Sequence, residues 1–139
     1  MDLVLKLNVF VTSTMFGVIW LVQLVHYPMF AGLDSETFSD WHRFHSNRIT
    51  YIVAPMMIAE LAVSLVLAWM RWDATSIALF ALTVGVWGAT FFVSVPLHAS
   101  LENRKQPELI SRLVATNWIR TVLYSLKITL LFCLLTVSW

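Results

Sequence analysis

The sequence predicts an all-α protein, a four-helix transmembrane bundle, and three observations carry that prediction. Hydrophobic residues make up 59% of the 139 positions and charged residues only 12%, where soluble domains average about 45–50% and about 25%. The apolar residues fall into four blocks, and about twenty apolar residues suffice for a helix to cross a hydrocarbon core of roughly 30 Å. Short polar stretches separate the blocks. Within lipid only helices or closed barrels satisfy every backbone N–H and C=O, and blocks of this length read as helices. The chain is expected to form a single integral membrane domain over 1–139. The bundle is read as two repeated helical hairpins, with helix two extended and kinked at Pro55.

The first span covers about 4–30. Asp2 precedes Lys6 and no small-residue cleavage site follows, so the block reads as a retained span rather than a leader. It carries Thr12, Ser13, Thr14 and Trp20. Regular helical spacing places Gln23, His26 and Tyr27 on one face, and Pro28 is expected to end or kink the helix. A polar connection at 31–35 follows. Asp34 or Ser35 is the predicted N-cap, with Glu36 in the first turn.

Helix two is predicted over about 36–70, too long to lie wholly in the bilayer. Residues 36–47 are amphipathic and interfacial, and 48–70 form the second span. Arg71, Trp72 and Asp73 make a tight turn. The third span covers about 74–98, with Pro96 near its end. The polar connector 101–107 leads to Pro107 and Glu108, the predicted first turn of helix four. That helix runs to Trp139, with its span at about 114–138.

The topology follows from the count of spans. The termini and the 71–73 turn lie on one side, side A, and the 31–47 and 99–113 segments lie on the other, side B. Side B holds Arg43, Arg48, Arg104, Lys105, Arg112 and Arg120, while side A holds Lys6 and Arg71. The positive-inside rule then makes side B cytoplasmic and both termini external, as in a bacterial inner membrane. A repeat is visible too. Pro28 and Pro96 are equivalent in the odd helices. In the even helices Glu36 aligns with Glu108, His45 with Asn117 and Arg48 with Arg120, at a constant offset.

This topology brings all four histidines, His26, His42, His45 and His98, to the side-B layer. Imidazole is a common ligand of iron, copper and zinc and an axial ligand of haem. The four are therefore candidate metal ligands, with His26 and His98 positioned to clamp a haem. The bland reading is interfacial hydrogen bonding. Arg48, Asn117 and Arg120 are candidates to orient an anionic or carbonyl group, since guanidinium binds carboxylate and phosphate bidentately. Snorkelling to headgroups is their other reading. Glu60 lies about 18 Å deeper than Arg48 at about 1.5 Å per residue, where an ionisable group must face the bundle interior. It either pairs with Lys127 or serves as a proton-relaying acid.

Trp41, Trp69, Trp72, Trp118 and Trp139 fit interfacial belts, whereas Trp20 and Trp87 lie deeper. The single Cys133 excludes an internal disulfide and a cysteine metal cage. A net charge of +1 leaves no nucleic-acid footprint. There is neither a glycine-rich phosphate loop nor an H-E-x-x-H element.

Several stretches together resemble a family of uncharacterised bacterial four-span membrane proteins over nearly the whole chain. They are Gln23-Leu24-Val25-His26-Tyr27-Pro28-Met29-Phe30, Trp41-His42 with His45 and Arg48, Pro55-Met56 with Glu60, Pro96-Leu97-His98, and Thr116-Asn117-Trp118-Ile119-Arg120-Thr121. The short Asn117-Trp118-Ile119-Arg120 element is distantly similar to the anthrone-oxygenase-like small membrane proteins. That resemblance implies oxygenation of a polycyclic aromatic substrate. In size, span count and histidine placement the chain is also similar to membrane-bound, haem-dependent protoporphyrinogen oxidases, although the motif around their first-span histidine differs.

Two functional expectations follow. One is a metal- or haem-dependent oxidoreductase or oxygenase acting on a lipophilic substrate, with iron or copper as the other cofactors in view. The second is a non-enzymatic binding, transport or assembly component holding an anionic lipid, an ion or a partner. A histidine-gated proton pathway is a third variant. The bilayer is the expected partner throughout, with no nucleic acid, and oligomers are open.

Overall fold

The computed structural model describes residues 3–137; the expectations placed on Asp2 and Trp139 lie outside them. Four long helices form the molecule: α1 (Leu3–Gly32), α2 (Ser35–Arg71), α3 (Ala74–Leu101) and α4 (Pro107–Val137). Each is long and apolar enough to cross a bilayer. The connections are short, so neighbours are antiparallel. α1 packs against α2 and α4, and α3 packs against the same two. α2 and α4 therefore face one another across the bundle.

Two short turns set the helix order. Between α2 and α3, Trp72 adopts a left-handed conformation at φ 48° and donates its N–H to Ala68 O. Asp73 then caps α3. Its carboxylate accepts from the Ser76 N–H at 2.8 Å while the Ser76 hydroxyl faces the Asp73 backbone, a reciprocal capping box. Between α1 and α2, Asp34 occupies the N-cap position without a side-chain bond. At the end of α1, Lys105 Nζ donates to Ala31 O at 2.8 Å and Leu33 O at 2.6 Å. These bonds satisfy carbonyls that a helix end leaves open. Lys105 thus has a structural task besides any role in orientation.

The two odd helices share an irregularity. α1 widens into a π turn at Val22–His26 and α3 does so at Thr90–Ser94. Tyr27 N–H reaches back to Val22 O, and Val95 N–H to Thr90 O. Each widening ends two residues before a proline, Pro28 or Pro96. A proline inside a helix lacks its N–H and clashes with the carbonyl four residues earlier. The i→i+5 turn frees that carbonyl from its usual register. Pro28 therefore does not end α1, which continues to Gly32. The irregularity recurs at the same place in both halves, matching the aligned prolines. In α2 the helix runs unbroken through Pro55.

The core is layered. Towards side A lie Leu5, Leu67, Leu79, Ile128, Leu131 and Leu134. Met15, Ile19, Met57, Val86 and Tyr124 form the middle. Towards side B lie Val22, Tyr27, Phe30, Phe38, Leu97, Leu101, Ile110 and Leu113. Lipid tails are as apolar as these side chains, so close packing and interhelical hydrogen bonds hold the helices together. Trp41, Trp69, Trp72 and Trp118 are exposed, as interfacial residues should be.

Candidate functional site

Two polar groupings lie inside the bundle. The deeper one, between the side-A and middle layers, is closed. Lys127 Nζ donates to Glu60 Oε1 at 2.7 Å, Ser64 Oγ at 2.9 Å and Thr83 Oγ1 at 2.7 Å. Tyr124 donates to Glu60 Oε2 at 2.9 Å and Thr12 to Oε1 at 3.2 Å. Asn8 Nδ2 donates to Ser64 Oγ at 3.2 Å. Glu60 and Lys127 are both 0% exposed. All three ammonium protons and both carboxylate oxygens have partners, and the partners come from all four helices. The expected Glu60–Lys127 pair is present. Glu60 lies fifteen residues along α2 from His45, about 22 Å at about 1.5 Å per residue. The structure thus does not bring Glu60 to the histidines, and its network reads as a cross-bundle lock.

The second grouping lies at side B and is open. Of Gln23, His26 and Tyr27, expected on one face, Gln23 and Tyr27 are buried together in the bundle, while His26 is half-buried towards α2. Gln23 is buried and turned to α4. Its amide donates to Val114 O at 3.1 Å, and its Oε1 accepts from Asn117 at 2.9 Å and Thr121 at 3.3 Å. His26 is half-buried beside His45, with ring centroids 5.2 Å apart. Tyr27 is buried and bonded to His98 Nε2 at 2.9 Å.

His98 Nδ1 in turn meets His42 Nε2 at 2.9 Å. Both ring nitrogens of His98 are therefore engaged, and the run Tyr27–His98–His42 links α1, α3 and α2. His42 also stacks on Phe38, with centroids 5.5 Å apart. The structure gathers the four histidines, but it joins them by hydrogen bonds and ring contacts. Among the described residues, no group of three or more His, Cys, Asp or Glu side chains is arranged to hold a metal ion. A four-histidine centre would need a ligating nitrogen from His98, and neither of its nitrogens is free.

The two arginines of the repeat differ. Arg48 takes the surface position and Arg120 the inward one. Arg48 is exposed, with its guanidinium 5.4 Å from the Phe44 ring centroid. Arg120 is only 6% exposed. It donates to Asn117 Oδ1 at a long 3.4 Å, and its Nε has no hydrogen-bond partner. No ion pair involves it among the described residues. The Tyr27 hydroxyl is within its electrostatic reach. A guanidinium this deep without a carboxylate is costly.

Cavities connect these side chains. An apolar cleft of about 400 Å³ opens between α1 and α2, where Leu21, Met29, Phe44 and Ile52 meet His26, His45 and Arg48. An inner cavity of about 120 Å³ is lined by Tyr27, His45, Thr90, Ser94, His98 and Arg120. The two share Val18, Val22, His45 and Ile49 in their linings and so adjoin. A polar groove of about 320 Å³ on side B is lined by His42, Arg43, Asn47, His98 and Glu102 among others. His45 thus stands between cleft and cavity, and His98 between cavity and groove. Both π turns border the inner cavity.

Of the residues singled out in the sequence, His26, His42, His45, His98, Asn117 and Arg120 come together. Arg48 sits at the cleft and Glu60 lies apart. Tyr27, Gln23, Ser94 and Thr121 belong to the site and were not singled out for it. Tyr27 carried a signal, since it lies between His26 and Pro28. Trp20 bonds Ser125 at 3.3 Å and packs edge-on against Trp118, which is a packing role. Trp87 borders a separate apolar cavity between α2 and α3. No protein-family model, curated protein or solved structure matches this chain.

Proposed function

We propose that this integral membrane protein binds a lipophilic acid, taking its chain into the cleft between α1 and α2 and its anionic head towards Arg120. The observation that carries this reading is the buried, carboxylate-free guanidinium of Arg120 at the inner cavity, which adjoins that cleft. A carboxylate head offsets the cost of the buried cation through charge-assisted hydrogen bonds. The cleft is in the size range of small-molecule sites, roughly 300–1,000 Å³. The inner cavity has room for a small head.

The test uses cis-parinaric acid and its alcohol, two fluorescent probes that differ only in the head. Detergent-purified protein should bind the acid more tightly than the alcohol by about tenfold, or about 1.4 kcal/mol. Arg120→Gln should abolish that preference. Equal affinity for acid and alcohol in the wild-type protein refutes the reading.

A second reading is a metal- or haem-dependent oxidoreductase or oxygenase. His26 Nδ1 and His45 Nε2, on adjacent rings at the cleft, have no hydrogen-bond partners. Two imidazoles could share an ion whose remaining positions a substrate fills. Elemental analysis and an absorption spectrum of the purified protein test this directly. Stoichiometric iron, copper or haem supports it, and their absence from protein that binds the acid removes it.

A further inference from the structure

We infer that His42, His98 and Tyr27 form a proton relay from the side-B groove to the head of the ligand in the inner cavity. This rests on the binding reading above and adds a chemical step to it. The two links are hydrogen bonds of 2.9 Å each, His42 Nε2 to His98 Nδ1 and His98 Nε2 to the Tyr27 hydroxyl. Imidazole can accept on one nitrogen and donate from the other, so a run of two imidazoles and a phenol can pass a proton end to end. Both ends are placed for this. His42 borders the groove, and its Nδ1 is buried just behind it with no protein partner. Tyr27 borders the inner cavity beside Arg120.

A water admitted from the groove to the buried His42 Nδ1 gives a proton to that nitrogen. The His42 Nε2–H bond breaks as His98 gains a proton on Nδ1. The His98 Nε2–H bond breaks as the Tyr27 oxygen gains that proton. The original Tyr27 hydroxyl proton passes to the ligand carboxylate, which becomes a neutral carboxylic acid. The bulk buffer restores the groove proton, and the rings turn to reset. Nothing is oxidised or reduced. The consequence is a cycle in which the ligand binds as an anion to Arg120 and leaves as a neutral acid for the bilayer.

The charged and titratable groups around the relay are few. Glu102 of α3 faces His42, while His45 of α2 and Arg120 of α4 face His98. His26 of α1 faces His45, and Arg43 of α2 lines the groove beside His42.

The test measures the rate at which cis-parinaric acid leaves the protein for acceptor vesicles of neutral phosphatidylcholine. His42→Ala leaves the inner cavity intact, so affinity should hold while release slows by about 10²-fold. Added imidazole should restore the rate. A wild-type release rate in His42→Ala, or no rescue by imidazole, overturns the relay. A second arm needs no ligand. Nitrogen NMR of labelled histidine should show His98 exchanging between tautomers in the wild-type protein and fixed in one tautomer in Tyr27→Phe. A single fixed tautomer in the wild-type protein also overturns the relay. If the probe fails to bind at all, the binding reading falls and the relay to a ligand head falls with it, while the second arm still reports whether His98 and Tyr27 exchange a proton.

Discussion

Lys127 Nζ lies 2.7 Å from Glu60 Oε1, joining α4 to α2 across the diagonal of the bundle with both side chains fully buried. Removing one partner leaves a charge in a site without water. Lys127→Met should therefore cost about 3–5 kcal/mol of stability. Glu60→Gln combined with Lys127→Met removes both charges and should recover much of that loss. Reversible unfolding of the three proteins in mixed micelles measures both effects.

The paired π turns make a second prediction. A π turn behaves as one extra residue in an α-helix. Leu24 and Phe92 occupy equivalent places in the two turns, and both are exposed, at 59% and 85%. Deleting either should yield a regular helix with the flanking residues still in register. Deleting Phe10 instead should rotate the rest of α1 by about 100° and misplace Gln23, Tyr27 and Phe30. Thermal unfolding in detergent should find the first two deletions folded and the third severely destabilised.

The turn between α2 and α3 gives a prediction about pH. The Ser76 backbone N–H, and after it the Arg71 guanidinium, hold the Asp73 carboxyl below the usual carboxylate range. A carboxyl depressed in the folded state contributes stability that is present above its unfolded pKa, about 3.9. That contribution fades as pH falls through the lower folded value. Asp73→Ala should cost about 1 kcal/mol at neutral pH, and the gap from wild type should shrink in acid. Because the pair is surface-exposed, the acid-dependent part is small. Unfolding series at neutral and acid pH compare the two proteins.

Gln23 is the clamp between α1 and α4 and supplies a fourth prediction. Its Oε1 accepts from Asn117 and Thr121, and its amide donates to Val114 O. Gln23→Leu leaves those buried groups without partners at about 1–3 kcal/mol for an unsatisfied group. Asn117 is also the hydrogen-bond partner of Arg120, so the acid preference of the site should weaken along with stability. Parallel unfolding and cis-parinaric acid titrations read the two effects.

Much of this architecture was legible in the chain, because bilayer thickness imposes a length on each apolar block. The helix boundaries, the 71–73 turn, the start of α4 at Pro107 and the Glu60–Lys127 pair all followed from length, capping residues and the cost of buried charge. Side-chain direction near Pro28 and Pro96 did not follow. Regular 3.6-residue spacing groups His26 with Gln23 and Tyr27, whereas the π turn leaves His26 half-buried beside His45 on α2. The contrast between Arg48 and Arg120 was also hidden. Equivalent sequence positions meet different neighbours, Phe44 and the cleft in one case and Asn117 and Tyr27 in the other. The histidine layer was visible as a layer. Its bonding depends on ring orientation, which no spacing rule fixes.

The hold of Arg120 on the head of a lipophilic acid inside the bundle can be read from the protein itself. It is tested most directly by extracting and weighing the lipid that stays with the purified protein after exchange into lipid-free detergent. The wild-type protein should retain a single-chain acid in stoichiometric amount, and folded Arg120→Gln should lose it. Recovery of only diacyl phospholipid, or of equal acid from both proteins, contradicts it.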